Sequence, residues 1–148
     1  MRVRLVDTGP LVAALNRRDR HHGWARELLG AIRPPLLSCE AVLSEAAYLL
    51  RDVAGGPGAL LELLTRGLVQ CPFRLQDEAP AVRQLLARYS SARMDLADAC
   101  LVRMTELHVD CELLTIDGEF RDVYRRRGRQ VIPTVMPSRK AGRSRRAT

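Results

Sequence analysis

Arg2-Val-Arg-Leu-Val-Asp7-Thr-Gly-Pro10 is the stretch on which the fold turns. Val3, Leu5 and Val6 read as a short buried strand, and the chain then stops on an acid, Asp7. Thr8, Gly9 and Pro10 follow at once, with Leu11, Val12 and Leu15 behind them at helical spacing. Pro10 suits a first helical position, where its missing N–H costs nothing. A strand that ends on a carboxylate and feeds straight into a helix lies where α/β proteins bind ligands, beyond the carboxyl ends of the strands. An Asp before a helix is first of all an N-cap, so Asp7 gains a chemical meaning only if other acids arrive at the same place.

Working outward, a first helix is predicted over residues 10–16 and a second over 22–32, stopped by Pro34-Pro35. Leu36-Leu37 reads as a short strand, and Ser38 is a candidate cap for a helix over 40–53. Gly55-Gly56-Pro57-Gly58 breaks the chain, and Leu60, Leu63 and Leu64 make a compact helix ended by Gly67. Residues 68–73 read as a strand; Val82, Leu85, Leu86 and Tyr89 form a helical stripe, and 95–108 a further helix. Residues 112–116 are a strong strand, Asp117-Gly118 turns it into a short helix with Phe120, Val123 and Tyr124, and 130–135 supply a last strand. Short apolar strands separated by helices predict a three-layer α/β fold, with a central, mostly parallel sheet of about four to five strands flanked by helices. Residues 1–136 are expected to form one domain, and 137–148 a basic, disordered tail.

Composition bounds the function. The chain has 148 residues, 47% hydrophobic and 28% charged, as expected of a globular protein. No apolar run approaches the roughly 18 residues that span a membrane, and Asp7 interrupts any signal-peptide core; a cytoplasmic protein is expected. Cys39, Cys71, Cys100 and Cys111 are scattered in apolar surroundings, which suits buried free thiols better than disulfides or zinc. Of the net charge of +7, five positive charges (Arg139, Lys140, Arg143, Arg145 and Arg146) fall in the tail, leaving +2 for the rest. Such a tail suits phosphate contacts and solubility alike.

Two groups of acids sit where amphipathic logic resists them. On the third helix Val42, Ala46, Leu49, Leu50 and Val53 make a buried stripe, and Glu45 falls on it. A Glu there is costly unless paired, hydrogen-bonded or bound to a metal; the plainer reading is a stripe-edge Glu reaching water. Asp95 and Asp98 share one side of the next long helix. They resemble a capping box, yet two acids at i and i+3 can also approach one metal. Asp117, like Asp7, ends a strand, with Thr115 two residues before it; the plain alternative is an Asp-Gly turn.

Taken together these pieces resemble the PIN-domain nucleases, and within them the VapC-type toxins of toxin–antitoxin pairs. The matching segments are Leu5-Val-Asp-Thr-Gly-Pro-Leu11, Glu45 within Val42-Leu-Ser-Glu-Ala-Ala47, Asp98 within Leu96-Ala-Asp-Ala99, and Leu114-Thr-Ile-Asp-Gly-Glu-Phe120. The likeness runs over about residues 2–135 and places Asp7, Glu45, Asp98 and Asp117 at the family's acidic positions. It implies a metal-dependent endoribonuclease, the toxin of a type II system, with an antitoxin partner and a homodimer built on the apolar third and fourth helices. A non-toxin RNA-processing nuclease and a silent RNA- or partner-binding domain remain open alternatives.

Clustered carboxylates repel one another, and divalent cations relieve the repulsion. Oxygen-only ligands suit Mg²⁺, with Mn²⁺ as a substitute; zinc prefers His or Cys, and His21, His22 and His108 are not placed among the acids. Asp7 and Asp98 are the expected principal metal ligands, with Glu45 and Asp117 holding a second ion or the attacking water and Asp95 assisting. Thr8 and Thr115 are expected to support these acids, and Arg93, Arg121 and Arg125 to orient the RNA backbone. Aromatic residues make up only 4% of the chain, so recognition is expected to lean on charge and RNA shape rather than stacking. Phosphoacceptor domains also place Asp after the first strand. They need a nearby lysine, and the only lysine is Lys140; the haloacid-dehalogenase pattern also wants Asp at position 9, which is Gly.

Overall fold

A computed structural model of the chain describes residues 2–138, so most of the expected tail, 139–148, lies outside the described residues. In chain order the elements are β1 (Val3–Val6), α1 (Thr8–Leu15), α2 (His22–Ala31), β2 (Leu36–Leu37), α3 (Glu40–Leu49), α4 (Gly56–Thr65) and β3 (Val69–Gln70). They continue with α5 (Leu75–Arg88), a single 3-10 turn (Ser90–Ala92), α6 (Leu96–Leu107), β4 (Cys111–Leu114), α7 (Glu119–Asp122), β5 (Arg125–Arg126), β6 (Gln130–Val131) and β7 (Thr134–Val135). Five strands form one sheet in the order β3-β2-β1-β4-β7, and every pairing in it is parallel. This is the flanked α/β sheet expected from the sequence.

β1 lies at the centre because its residues are apolar enough to be buried on both faces; Leu5 and Val6 are fully inaccessible. Its register with β4 pairs Val6 with Leu114. The next residue of each strand is then Asp7 and Thr115, and the Asp7 N–H donates to the Leu114 carbonyl at 2.9 Å. Parallel pairing in this register is what brings two distant acidic loops, after β1 and after β4, to the same end of the sheet.

Several expected elements are shorter than their apolar patterns. The strand expected over 68–73 pairs only at Val69–Gln70, since Pro72 offers no N–H to extend a ladder. The strand expected over 130–135 is split. β6 pairs antiparallel with β5 in a separate ribbon, and β7 joins the main sheet beside β4. Pro133 separates them, its carbonyl accepting from the Leu113 N–H at 2.8 Å. The third helix ends at Leu49 rather than at Val53. Ser38 does not cap it; Cys39 is the N-cap residue, without a side-chain bond. The Ser38 hydroxyl instead donates to the Val6 carbonyl at 2.9 Å, tying the end of β2 to the end of β1.

Two further features hold the frame. Arg126 is buried and donates to the carbonyls of Thr105, His108 (3.0 Å) and Val109 (3.3 Å), gathering carbonyls at and just beyond the end of α6. Tyr89 and Phe120 pack edge-on against Tyr124, each with ring centroids 5.2 Å away, the favoured arrangement for aromatic quadrupoles. The four cysteines are free; Cys39, Cys100 and Cys111 are buried, whereas Cys71 is only half-buried. Among the described residues no helix is long and apolar enough to cross a membrane.

Candidate metal centre

Asp7, Thr8, Gly9, Glu45, Leu49, Asp95, Asp98, Ile116 and Asp117 line one open cavity of about 330 Å³ at the carboxyl end of the sheet. Six of the residues singled out from the sequence (Asp7, Thr8, Glu45, Asp95, Asp98 and Asp117) thus share a single wall, and Thr115 lies directly behind it.

Asp7 is the buried corner, 7% exposed. It is the N-cap of α1, with extended backbone and its Oδ1 accepting from the Thr8 N–H at 2.7 Å. Its Oδ2 accepts from the Thr115 hydroxyl, also at 2.7 Å. The cap and the site position are therefore the same carboxylate. Burial pushes Asp7 up from its ordinary 3.8 to about 6, against the lowering effect of the Thr115 and Thr8 hydrogen bonds; the charges of Asp117 and Glu45 push it further up.

Asp95 and Asp98 form the capping box that their spacing suggested. The Asp98 N–H donates to Asp95 Oδ1 at 2.8 Å, and the Asp95 N–H to Asp98 Oδ2 at 3.3 Å. The cap does not exhaust Asp98. Burial first, then the repulsion of Asp95, Asp7 and Asp117, raises it to about 7, although the Asp95 backbone bond lowers it. Asp7 and Asp98 thus both feel the charge of Asp117, and Asp98 also that of Asp7.

Glu45 sits at the edge of the α3 stripe, as the plainer of its two readings expects. It is exposed, as is Leu49 one turn on at 49%. Both lie at the edge of the stripe, where α3 opens onto the cavity. The Thr8 hydroxyl donates to Glu45 Oε1 at 3.1 Å and fixes the side chain across from Asp7. Asp117 is held in its turn by the Glu119 N–H, which donates to Oδ1 at 2.9 Å.

Thr115 links the two acidic loops. It is fully buried; its hydroxyl donates to Asp7 and accepts from the Asp117 N–H at 2.9 Å. Thr115→Val keeps the shape but strands the Asp117 N–H and removes the donor to Asp7. The expected outcome in urea titration is a loss of about 1–3 kcal/mol, the usual cost of an unsatisfied partly buried group.

The three arginines assigned to RNA are not among the residues lining the cavity. Arg121 is paired with Asp122, its Nε 3.0 Å from Oδ1. Arg125 donates to the carbonyls of Arg121 (3.2 Å) and Tyr124 (2.9 Å). Arg93 is exposed and holds a left-handed φ of 59° just before Asp95. No motif or spacing points to Tyr124, whose hydroxyl donates to Asp98 Oδ2 at 3.2 Å, nor to Ile116 at the cavity wall.

Among the described residues, no three His, Cys, Asp or Glu side chains converge into a ready-made metal cage. The donor set nevertheless suits a hard cation. It is all oxygen, and Mg²⁺ keeps several waters and needs only one or two carboxylates from the protein.

A family model for the PIN domain matches residues 4–126. The chain belongs to the PIN-domain family. In this PIN domain the matched segment runs from β1 through β5 and contains every cavity-lining acid. No curated protein sequence matches the chain. Among solved structures it is similar to VapC20 of Mycobacterium tuberculosis, a toxin that cleaves the sarcin–ricin loop. That likeness has a TM-score of 0.69 at 21% identity and covers 78% of this chain and 91% of VapC20; it establishes shared architecture.

Proposed function

We propose that this PIN domain is a metal-dependent endoribonuclease and the toxin component of a type II toxin–antitoxin pair. One observation carries the reading: the carboxylates of Asp7, Glu45, Asp98 and Asp117 line the same open cavity, and both the buried Asp7 and the half-buried Asp98 are held well above the ordinary carboxylate range. Carboxylates gathered in a sheet-edge cavity repel one another and are a cost to the fold. An oxygen-binding cation such as Mg²⁺ or Mn²⁺ offsets it. Membership of the PIN family and the toxin activity of VapC20 support the same reading.

In this reading Asp7 and Asp98 hold the ion, with Asp95 assisting from the mouth of α6. When bound, the ion lowers the pKa of water and neutralises charge developing on the phosphate. Glu45, anchored by Thr8, and Asp117, anchored through Glu119 and Thr115, face the same space and orient the attacking water or a second ion. At the start of α1 the Thr8 N–H is taken by the Asp7 cap, which leaves the Gly9 N–H, at the cavity wall, to meet a phosphate oxygen. Arg93, at the rim before Asp95, is the best placed of the three arginines to meet the RNA backbone. The exposed Tyr48 (62%), Leu49 (49%) and Leu61 (55%) on α3 and α4 form the apolar surface for a homodimer. An antitoxin segment that covers the acidic cavity completes the proposed pair.

The reading is tested by mapping RNA 5′ ends in cells after induction of wild type and of Asp98→Asn. New ends at a defined RNA site with wild type alone are expected. Identical end profiles for the two proteins contradict it.

A further inference from the structure

We propose that Tyr124 is a positioning residue for the metal centre, its buried hydroxyl orienting Asp98 so that Oδ1 faces the cavity. This rests on the reading of Asp98 as a metal ligand.

Two donors meet the Asp98 carboxylate, and both take the same oxygen. The Tyr124 hydroxyl reaches Oδ2 at 3.2 Å, and the Asp95 N–H reaches it at 3.3 Å. With Oδ2 engaged on both sides, Oδ1 is the oxygen left for a cation or its water. A carboxylate held by one side only would rotate about its last bond; two donors from different elements fix the plane.

The donor itself is immobile. Tyr124 is fully inaccessible, its ring clamped edge-on between Tyr89 and Phe120. Its backbone N–H donates to the Glu119 carbonyl at 2.9 Å, continuing the turn that begins at Asp117. The same hydroxyl lies 3.4 Å from Glu119 Oε1, so one hydrogen is placed between two carboxylates, with Asp98 the nearer acceptor. The loop that presents Asp117 and the residue that orients Asp98 therefore belong to one rigid unit. Groups that hold a metal ligand in place commonly change metal affinity by about 10- to 100-fold when removed.

The experiment is calorimetric titration of Mn²⁺ into the RNA-free protein, for wild type, Tyr124→Phe and Tyr89→Phe. Both variants keep the aromatic cluster. Tyr89→Phe removes a hydroxyl that accepts from the Arg125 N–H at 2.9 Å and touches no acid. The expected result is Mn²⁺ affinity about tenfold weaker in Tyr124→Phe, unchanged in Tyr89→Phe. In RNA cleavage, saturating Mn²⁺ should restore most of the kcat of Tyr124→Phe. Wild-type affinity in Tyr124→Phe overturns the positioning role and leaves the nuclease reading intact. Equal weakening in both variants also overturns it, because packing and not the hydroxyl would then be responsible. Failure of wild type to bind Mn²⁺ instead removes the metal reading on which the role depends.

Discussion

Asp98→Asn should lose RNA cleavage by about a hundredfold or more, the scale seen when a preorganised electrostatic contact at a reacting centre is removed, while gaining thermal stability in metal-free buffer. The two effects share a cause. Asp98 is raised to about 7 by burial and by the charges of Asp95, Asp7 and Asp117, so above neutral pH its ionised form is held against local repulsion. Asparagine keeps an oxygen for the Tyr124 hydroxyl and the Asp95 N–H and removes the charge. It also removes the ligand. Thermal unfolding in EDTA at pH 8, beside a cleavage assay in Mg²⁺, checks both halves. Lower stability together with lost activity would mean that the substitution merely damages the fold.

The second large effect is a dependence of metal-free stability on pH that runs opposite to ordinary acid denaturation. A carboxylate whose folded pKa lies above its unfolded value binds more protons folded than unfolded, so stability falls as pH rises through that interval. For Asp7 the interval runs from 3.8 to about 6, and for Asp98 from 3.8 to about 7. The favourable contribution is complete below about pH 4 and lost above about pH 7. For the buried Asp7 alone it amounts to about 3 kcal/mol. Unfolding in EDTA should therefore show the midpoint falling between about pH 4 and pH 7. At pH 8, Mg²⁺ at about a hundred times its Kd should return about 3 kcal/mol. A midpoint that rises steadily over the same range, or one indifferent to Mg²⁺ at pH 8, contradicts the coupled acidic cluster.

Much of the frame was legible in the sequence because it is written in local signals. Val3, Leu5 and Val6 announce a buried strand, and the strand residues before Asp117 do the same, so two carboxylates at strand ends point to one sheet edge. The capping box of Asp95 and Asp98 follows from spacing alone. Where the reading failed, non-local packing decided. Leu49 belongs to the apolar stripe of α3 by spacing, but that face runs out at the cavity, leaving Leu49 exposed beside Glu45, which sits at the stripe's edge as its plainer reading expects. Ser38 looked like a helix cap, yet it faces β1 and serves the Val6 carbonyl. Pro133 divides what periodicity joined, because a proline cannot donate to either ladder. Tyr124 carries no motif; its tie to Asp98 spans 26 residues of sequence and exists only once the segment after α7 meets the start of α6. The arginines are hard to assign from sequence for a similar reason, since Arg121 and Arg125 have partners beside them that the charge count does not reveal.

The most direct test of the acidic cavity as a metal-dependent ribonuclease centre is cleavage of RNA by the purified wild-type chain, first with EDTA and then after addition of excess Mg²⁺ or Mn²⁺. No cleavage in EDTA and restored endonucleolytic cleavage with either ion is the predicted result. Cleavage at full rate in EDTA would contradict it.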